Sequence, residues 1–248
     1  VTSPVSAYRI SRSSRGAFDP VPRSGGEDVT GWSRYDTIER TLYASDDKLT
    51  AYMELLAPYR TEIASKRRAL QPVADFMGVP LSDLWRDIVA EWEEAGDMAT
   101  KWLPRAFREG RAMYTLSFPI GSWIDITATE TLAAMPELFG DRWLTADGEL
   151  TDPLTLSHLT GDDRVLTTAI AAALRERIEL DDGTLPLGIR FLSKHGRPSS
   201  GTGLCWAYWM REVDHGLDEP SVVTAVEPIA ENDEVFKAAQ AHCKIRSR

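Results

Sequence analysis

The chain has 248 residues, 43% of them hydrophobic and 27% charged, which suits one large or two small globular domains and excludes wholesale disorder. Lys and Arg number 28 against 38 Asp and Glu, a net charge of −10. An acidic chain is a poor match to a phosphate backbone, so no direct nucleic-acid binding is expected.

In chain order, Tyr8-Arg9-Ile10 predicts a first strand. Residues 12–33, rich in Ser, Gly, Pro and Arg, predict a long loop, and a loop of that length is often functional. Thr41-Leu42-Tyr43-Ala44 predicts a second strand, and Ser45-Asp46-Asp47 opens a helix with a cap and an acidic first turn. Leu49, Tyr52, Met53 and Leu56 form that helix's apolar stripe, and Pro58 is expected to stop it. Residues 61–110 read as mostly helical, with Ser82 capping a helix that carries Leu84, Trp85, Ile88, Val89 and Trp92.

Two β-like runs follow at 112–118 and 123–127, then a short helix at 129–138 containing Pro136. Asp162 opens a helix through Val165, Ile170, Ala173 and Leu174. The final third returns to strands at 187–192, 204–210 and 222–226, and the tail from 232 to 243 reads as helical. Strands and helices do not alternate regularly, which predicts an α+β fold. The expected organisation is a single domain over 1–248: a core at about 6–215, a helical insertion at about 60–110, and a C-terminal strand and helix within 216–248.

Most chemical signatures are missing. There is no phosphate-cradling G-x-x-x-x-G-K-[ST] or G-x-G-x-x-G, no H-E-x-x-H, no C-x-x-C and no G-x-S-x-G. Gly201-Thr202-Gly203 reads as a turn. His158, His195, His215 and His242 are scattered, so no metal is expected, and His195 reads as a surface turn histidine. Cys205 and Cys243 cannot build a disulfide framework, which points to a reducing compartment. No apolar run approaches a membrane span, and the start lacks the pattern of a signal peptide, so no membrane association is expected and the expected location is the cytoplasm.

One constellation carries chemistry. Arg9 lies in the first strand, Arg34 follows the long loop, Tyr43 ends the second strand, Glu54 lies on the helix, and Ser193 ends a late strand. Arginines clamp phosphates, tyrosine offers a flat face to a ring, and a carboxylate stabilises an oxocarbenium-like centre. Taken singly, each has a plain reading: Glu54 as an exposed helix residue, Tyr43 as a core tyrosine, Arg9 and Arg34 as solvated or ion-paired, Ser193 as a strand-end serine.

In order and spacing, the set resembles the RES-domain family, toxins of bacterial toxin–antitoxin pairs. The matching stretches are Tyr8-Arg9-Ile10-Ser11, Arg34-Tyr35-Asp36, Thr41-Leu42-Tyr43-Ala44-Ser45, Ala51-Tyr52-Met53-Glu54-Leu55-Leu56, Gly188-Ile189-Arg190-Phe191-Leu192-Ser193 and Cys205-Trp206-Ala207-Tyr208-Trp209. Ser33 stands where the family has Gly or Asn, and the proline that often follows the second Arg is missing.

The resemblance implies an ADP-ribosyltransferase-like fold, a split mixed β-sheet core with flanking helices. It implies NAD as substrate, cleaved at the nicotinamide–ribose bond by hydrolysis or phosphorolysis, and an Xre-like helix-turn-helix antitoxin as partner. It implies a catalytic role for Glu54, Tyr43 and Arg34, and substrate contacts from Arg9, Arg34, Tyr43 and Ser193. A protein ADP-ribosyltransferase and a non-catalytic module that binds nucleotide or antitoxin remain as alternatives.

Overall fold

The structure, a computed structural model, describes residues 4–94, 102–140, 142–151, 153–197 and 201–247. The fold is α+β. Its strands are β1 Val5–Arg12, β2 Thr41–Ser45, β3 Trp102–Leu103, β4 Arg111–Phe118, β5 Ile124–Asp125, β6 Gly188–Leu192, β7 Leu204–Trp209, β8 Val222–Pro228 and β9 Arg246–Ser247. Its helices are α1 Lys48–Ala69, α2 Gln71–Met77, α3 Leu81–Glu94, α4 Arg105–Glu109, α5 Thr129–Phe139, α6 Leu156–Thr160, α7 Arg164–Arg177, α8 Arg211–Asp214 and α9 Glu234–Cys243.

Seven strands form one mixed sheet in the order β5-β6-β7-β2-β1-β4-β8, parallel only between β5 and β6. Its middle is nearly divided. β1 pairs with β4 over its whole length and β2 pairs with β7 over five residues, yet β1 and β2 meet only at Tyr8 and Ser45. The two halves of the sheet therefore splay apart between β1 and β2.

Alternation along β7 explains why it is central. Cys205, Ala207 and Trp209 face a cluster with Ile170, Leu174 and Phe191, while Trp206, Tyr208 and Met210 face one with Leu42, Leu116 and Phe118. A third cluster packs α1 and α9 together through Tyr52, Leu56, Phe236 and Ala239, with Met113 of β4. Tyr52 also donates its hydroxyl to Asp233 at 2.8 Å, and Asp233 caps α9 by accepting from Val235 and Phe236.

The structure corrects several expectations. α1 runs through Pro58 to Ala69. Proline removes one helical hydrogen bond at a cost of about 3 kcal/mol, but Tyr52, Leu56 and Ala57, in the turns that precede it, are buried and hold the helix against the body. The α1 cap is Asp47, which accepts from Thr50 N–H at 2.8 Å, while Ser45 still belongs to β2. Ser82 lies inside α3, whose first turn closes on the Pro80 carbonyl. Asp163, not Asp162, caps α7 by accepting from Leu166. The run at 123–127 shrinks to a two-residue strand beside β6. Between 61 and 110, helix gives way to β3, which pairs in parallel with β9 near the C-terminus; residues 95–101 of that stretch lie outside the described residues.

Close packing of β6 on β7 requires Gly188. A Cβ there would lie 2.1 Å from the Ala207 carbonyl oxygen and 3.1 Å from Trp123 Cζ3. Gly188→Ala is expected to destabilise the fold by about 3 kcal/mol, the upper range for an overpacked core. A urea midpoint unchanged from wild type would show that the two strands separate freely.

Candidate active site

The parting of β1 and β2 opens a cleft of about 760 Å³, within the range of small-molecule sites. Its walls come from β1 with Tyr8 and Arg9, β2 with Tyr43 and Ser45, one face of α1 with Glu54 and Pro58, the Trp32–Arg34 stretch of the long loop, and the turn after β6 with Lys194 and His195. Asp162 and Arg164, at the start of α7, close one side. Four of the five residues singled out in the sequence line this cavity together: Arg9, Arg34, Tyr43 and Glu54.

Arg9 bridges the split. Its Nη1 donates to the Tyr43 carbonyl at 3.0 Å, so a side chain supplies a link that the β1–β2 ladder lacks. Its Nε is buried with no hydrogen-bond partner. Burial lowers the Arg9 pKa to about 10, against the raising effect of Asp19, and the group stays cationic at neutral pH.

Arg34 is only 8% exposed, and its Nε and Nη1 have no hydrogen-bond partner. Its guanidinium lies 5.6 Å from the Tyr35 ring centroid and 5.8 Å from that of Phe191, in cation–π range. A buried cation with idle donors is costly unless an anion reaches it.

Tyr43 is locked at both ends. Its ring meets Phe191 edge-on at 6.3 Å, and its hydroxyl accepts the Tyr35 N–H at 2.9 Å beside the Asp36 carboxylate. Burial, reinforced by Asp36, pushes its pKa well above the usual tyrosine value, so it acts as a neutral phenol.

Glu54 is half-buried on α1. Its Oε1 accepts from the Ser193 hydroxyl at 2.6 Å, and that hydroxyl oxygen in turn accepts the His195 N–H at 3.1 Å. Ser193 is not part of the cavity wall; it stands behind Glu54 and orients the carboxylate.

His195 departs from the expectation of a plain surface turn. It does lie in a turn, but it is half-buried on the cavity wall with Nε2 3.9 Å from Glu54 Oε2. Burial lowers its pKa first; Glu54 and Asp162 oppose this, while Lys194 and Arg34 add to it. Sequence reasoning also passed over the group beside it. Asp162 pairs with Lys194 and, at 3.3 Å, with Arg164, whose Nε donates to the Trp32 carbonyl at 3.0 Å. The Lys194 hydrogen bond, outweighing burial, holds the Asp162 carboxyl below the usual range. No periodicity marks these charged residues, so only the folded chain reveals them. Cys205 also lines the cavity, but burial and the nearby Glu54 push its thiol up to about 12, which excludes a thiolate nucleophile at neutral pH.

The His195 shift fixes a pH prediction. The folded chain holds this imidazole below its ordinary value near 6.5, so the unfolded chain binds its proton first. Its contribution to stability is complete above about pH 6.5 and is lost as pH falls through the folded value. Wild type should therefore lose stability faster than His195→Gln as pH falls below about 6.5. Parallel melting curves for the two proteins below that pH would refute the assignment.

Among the described residues no group of three or more His, Cys, Asp or Glu side chains is arranged to hold a metal, and no helix is long and apolar enough to cross a membrane. Both cysteines are free and buried. No protein-family model matches the chain, and no curated protein matches it. Among solved structures, the chain is similar to one from the M. tuberculosis MbcT–MbcA toxin–antitoxin complex. The TM-score is 0.43 at 11% sequence identity, over 97% of this chain and 91% of that one.

Proposed function

We propose that the protein is a toxin-like enzyme that cleaves NAD at the nicotinamide–ribose bond. The observation that carries this reading is the convergence of Arg9, Arg34, Tyr43 and Glu54 on one cavity, with idle guanidinium donors on one part of its wall and an oriented carboxylate on another.

Arg9 Nε and the Nε and Nη1 of Arg34 bind the pyrophosphate, which gives these buried donors the acceptors they lack. The Tyr43 ring packs against the nicotinamide end and fixes the reactive ribose. Glu54 accepts from the ribose hydroxyls and stabilises positive charge as the bond breaks. Ser193 is a positioning residue in this scheme, because it acts through Glu54.

The reaction is simple in its balance. The bond between the ribose anomeric carbon and the nicotinamide nitrogen breaks, and nicotinamide leaves as a neutral molecule with the bonding electron pair. Water then adds to the anomeric carbon and releases one proton; in phosphorolysis a phosphate oxygen forms that bond instead. Nicotinamide is a good leaving group, so no general acid is needed. The same reading carries an Xre-like helix-turn-helix antitoxin as partner, covering the cleft, and a cytoplasmic site of action.

The test is nicotinamide release from NAD by purified protein, with and without phosphate, beside Glu54→Gln. Release that requires Glu54 supports the reading, and its response to phosphate separates hydrolysis from phosphorolysis. A folded wild-type protein that releases no nicotinamide overturns it.

A further inference from the structure

A second hollow of about 430 Å³ adjoins the cleft and shares Arg9, Ile10, Ser33 and Tyr43 with it. Five arginines line it, Arg9, Arg12, Arg15, Arg23 and Arg111, against two carboxylates, Asp19 and Asp36. That excess of positive charge stands out in a chain whose net charge is −10.

Asp36 offsets one of the five, Arg23, and leaves Arg9, Arg12, Arg15 and Arg111 against Asp19. The Asp36 Oδ2 accepts from Arg23 Nε and from the Ser33 N–H, both at 2.9 Å. Arg12 and Arg111 are direct cross-strand partners in the β1–β4 register. Like charges set opposite each other destabilise a sheet, and an anion between them reverses the sign.

The arrangement is also fixed. Arg111 donates Nη1 to the Phe107 carbonyl at 2.8 Å and stacks on that ring at 3.7 Å. The Arg12 carbonyl accepts from the N–H groups of Arg15 and Gly16, at 2.9 and 3.2 Å, and Ser13 is tied to the Gly110 carbonyl. Gly16, at φ +70°, lets the chain turn there, which keeps Arg15 beside Arg12. Arg9 belongs to the walls of both hollows and links them. Guanidinium forks match the geometry of phosphate oxygens.

We propose that this hollow is a second phosphate-binding subsite. Its phosphate has two possible sources: the extra monoester of a phosphorylated dinucleotide whose body fills the cleft, or a free phosphate anion. The first rests on the NAD reading above; the second does not.

Calorimetric titrations of NAD, NADP and inorganic phosphate test it, in Glu54→Gln protein, which binds without appreciable turnover, and in the same protein carrying Arg12→Ala or Arg15→Ala. Both arginines are exposed, so neither variant should disturb folding. A roughly tenfold preference for NADP over NAD, abolished in the variants while NAD affinity is unchanged, supports the linked phosphate. Equal affinity for the two dinucleotides, with saturable phosphate binding that the variants lose, supports the free anion. Phosphate binding that depends on Arg12 and Arg15 in a protein that binds neither dinucleotide sustains the subsite and overturns the NAD reading. Absence of both NADP preference and phosphate binding, or their survival in a combined Arg12→Ala, Arg15→Ala protein, overturns the subsite.

Discussion

Glu54→Gln is expected to lower nicotinamide release from NAD by about 10²–10³-fold, the scale seen when a group that stabilises transition-state charge is removed. The substitution keeps the size and shape of the side chain, and its carbonyl oxygen can still accept from Ser193. What it removes is the negative charge facing the cleft. That charge matters most as nicotinamide departs and the ribose becomes cationic, so the loss should fall on kcat with little change in KM. Arg34→Ala offers the contrast. It withdraws donors assigned to the pyrophosphate, which bind ground state and transition state alike, so its effect should fall on KM. Glu54 is half-buried at the cleft wall, and its replacement should leave stability within about 0.5 kcal/mol of wild type. A Glu54→Gln protein that melts normally and turns over NAD at the wild-type rate would refute the mechanism.

The main strands were legible in the sequence because runs of β-branched and aromatic residues between turn residues write a local signal. The runs at 8–10, 41–44, 112–118, 187–192, 204–210 and 222–226 all fall within strands or extend them by a residue. The helices expected from Ser45-Asp46-Asp47, from Asp162 and from 232 begin a residue or two later, where the side chains of Asp47, Asp163 and Asp233 accept the first free N–H groups. The two-residue strands β3 and β9 carry no periodicity, and their pairing depends on two distant parts of the chain meeting. Pro58 misled because its local cost is real but smaller than the packing of Tyr52 and Leu56 beneath it.

At the site, the motif spacings pointed to Arg9, Arg34, Tyr43 and Glu54, and the fold brings these four to one cavity. Ser193 joins them indirectly, through the Glu54 carboxylate. The nearness of His195 to Glu54 comes from the turn after β6 reaching α1, and no stretch of sequence records it. The same holds for Asp162 with Lys194 and for Arg12 opposite Arg111, which pair only once the fold and its strand register are known.

The segment that carries Arg34 is held from behind by a buried ionic cluster. Arg175 of α7, 8% exposed, donates to the Thr37 hydroxyl and the Ile38 carbonyl at 2.7 Å, and to Glu39 and Asp214 at 2.9 Å. The Asp214 side chain is only 1% exposed and also accepts from Arg40 Nη1 at 3.0 Å. Glu39, by contrast, has a side chain 47% exposed and a backbone φ of +73°, a left-handed conformation costly for a residue with a Cβ.

Asp214 therefore neutralises two arginines, and Asp214→Ala leaves the buried Arg175 without its buried counter-ion. The expected cost is about 4 kcal/mol, or roughly 10 °C in Tm for a chain of this size. Glu39→Ala should cost about 1 kcal/mol or less, since water already reaches that carboxylate. Because the cluster pins Thr37 and Ile38, three and four residues beyond Arg34, Asp214→Ala should also raise KM for NAD well below its melting temperature. Equal losses of stability in the two variants, measured by thermal and urea denaturation, would mean that Arg175 is solvated in place and that the loop bearing Arg34 is held by its apolar contacts alone.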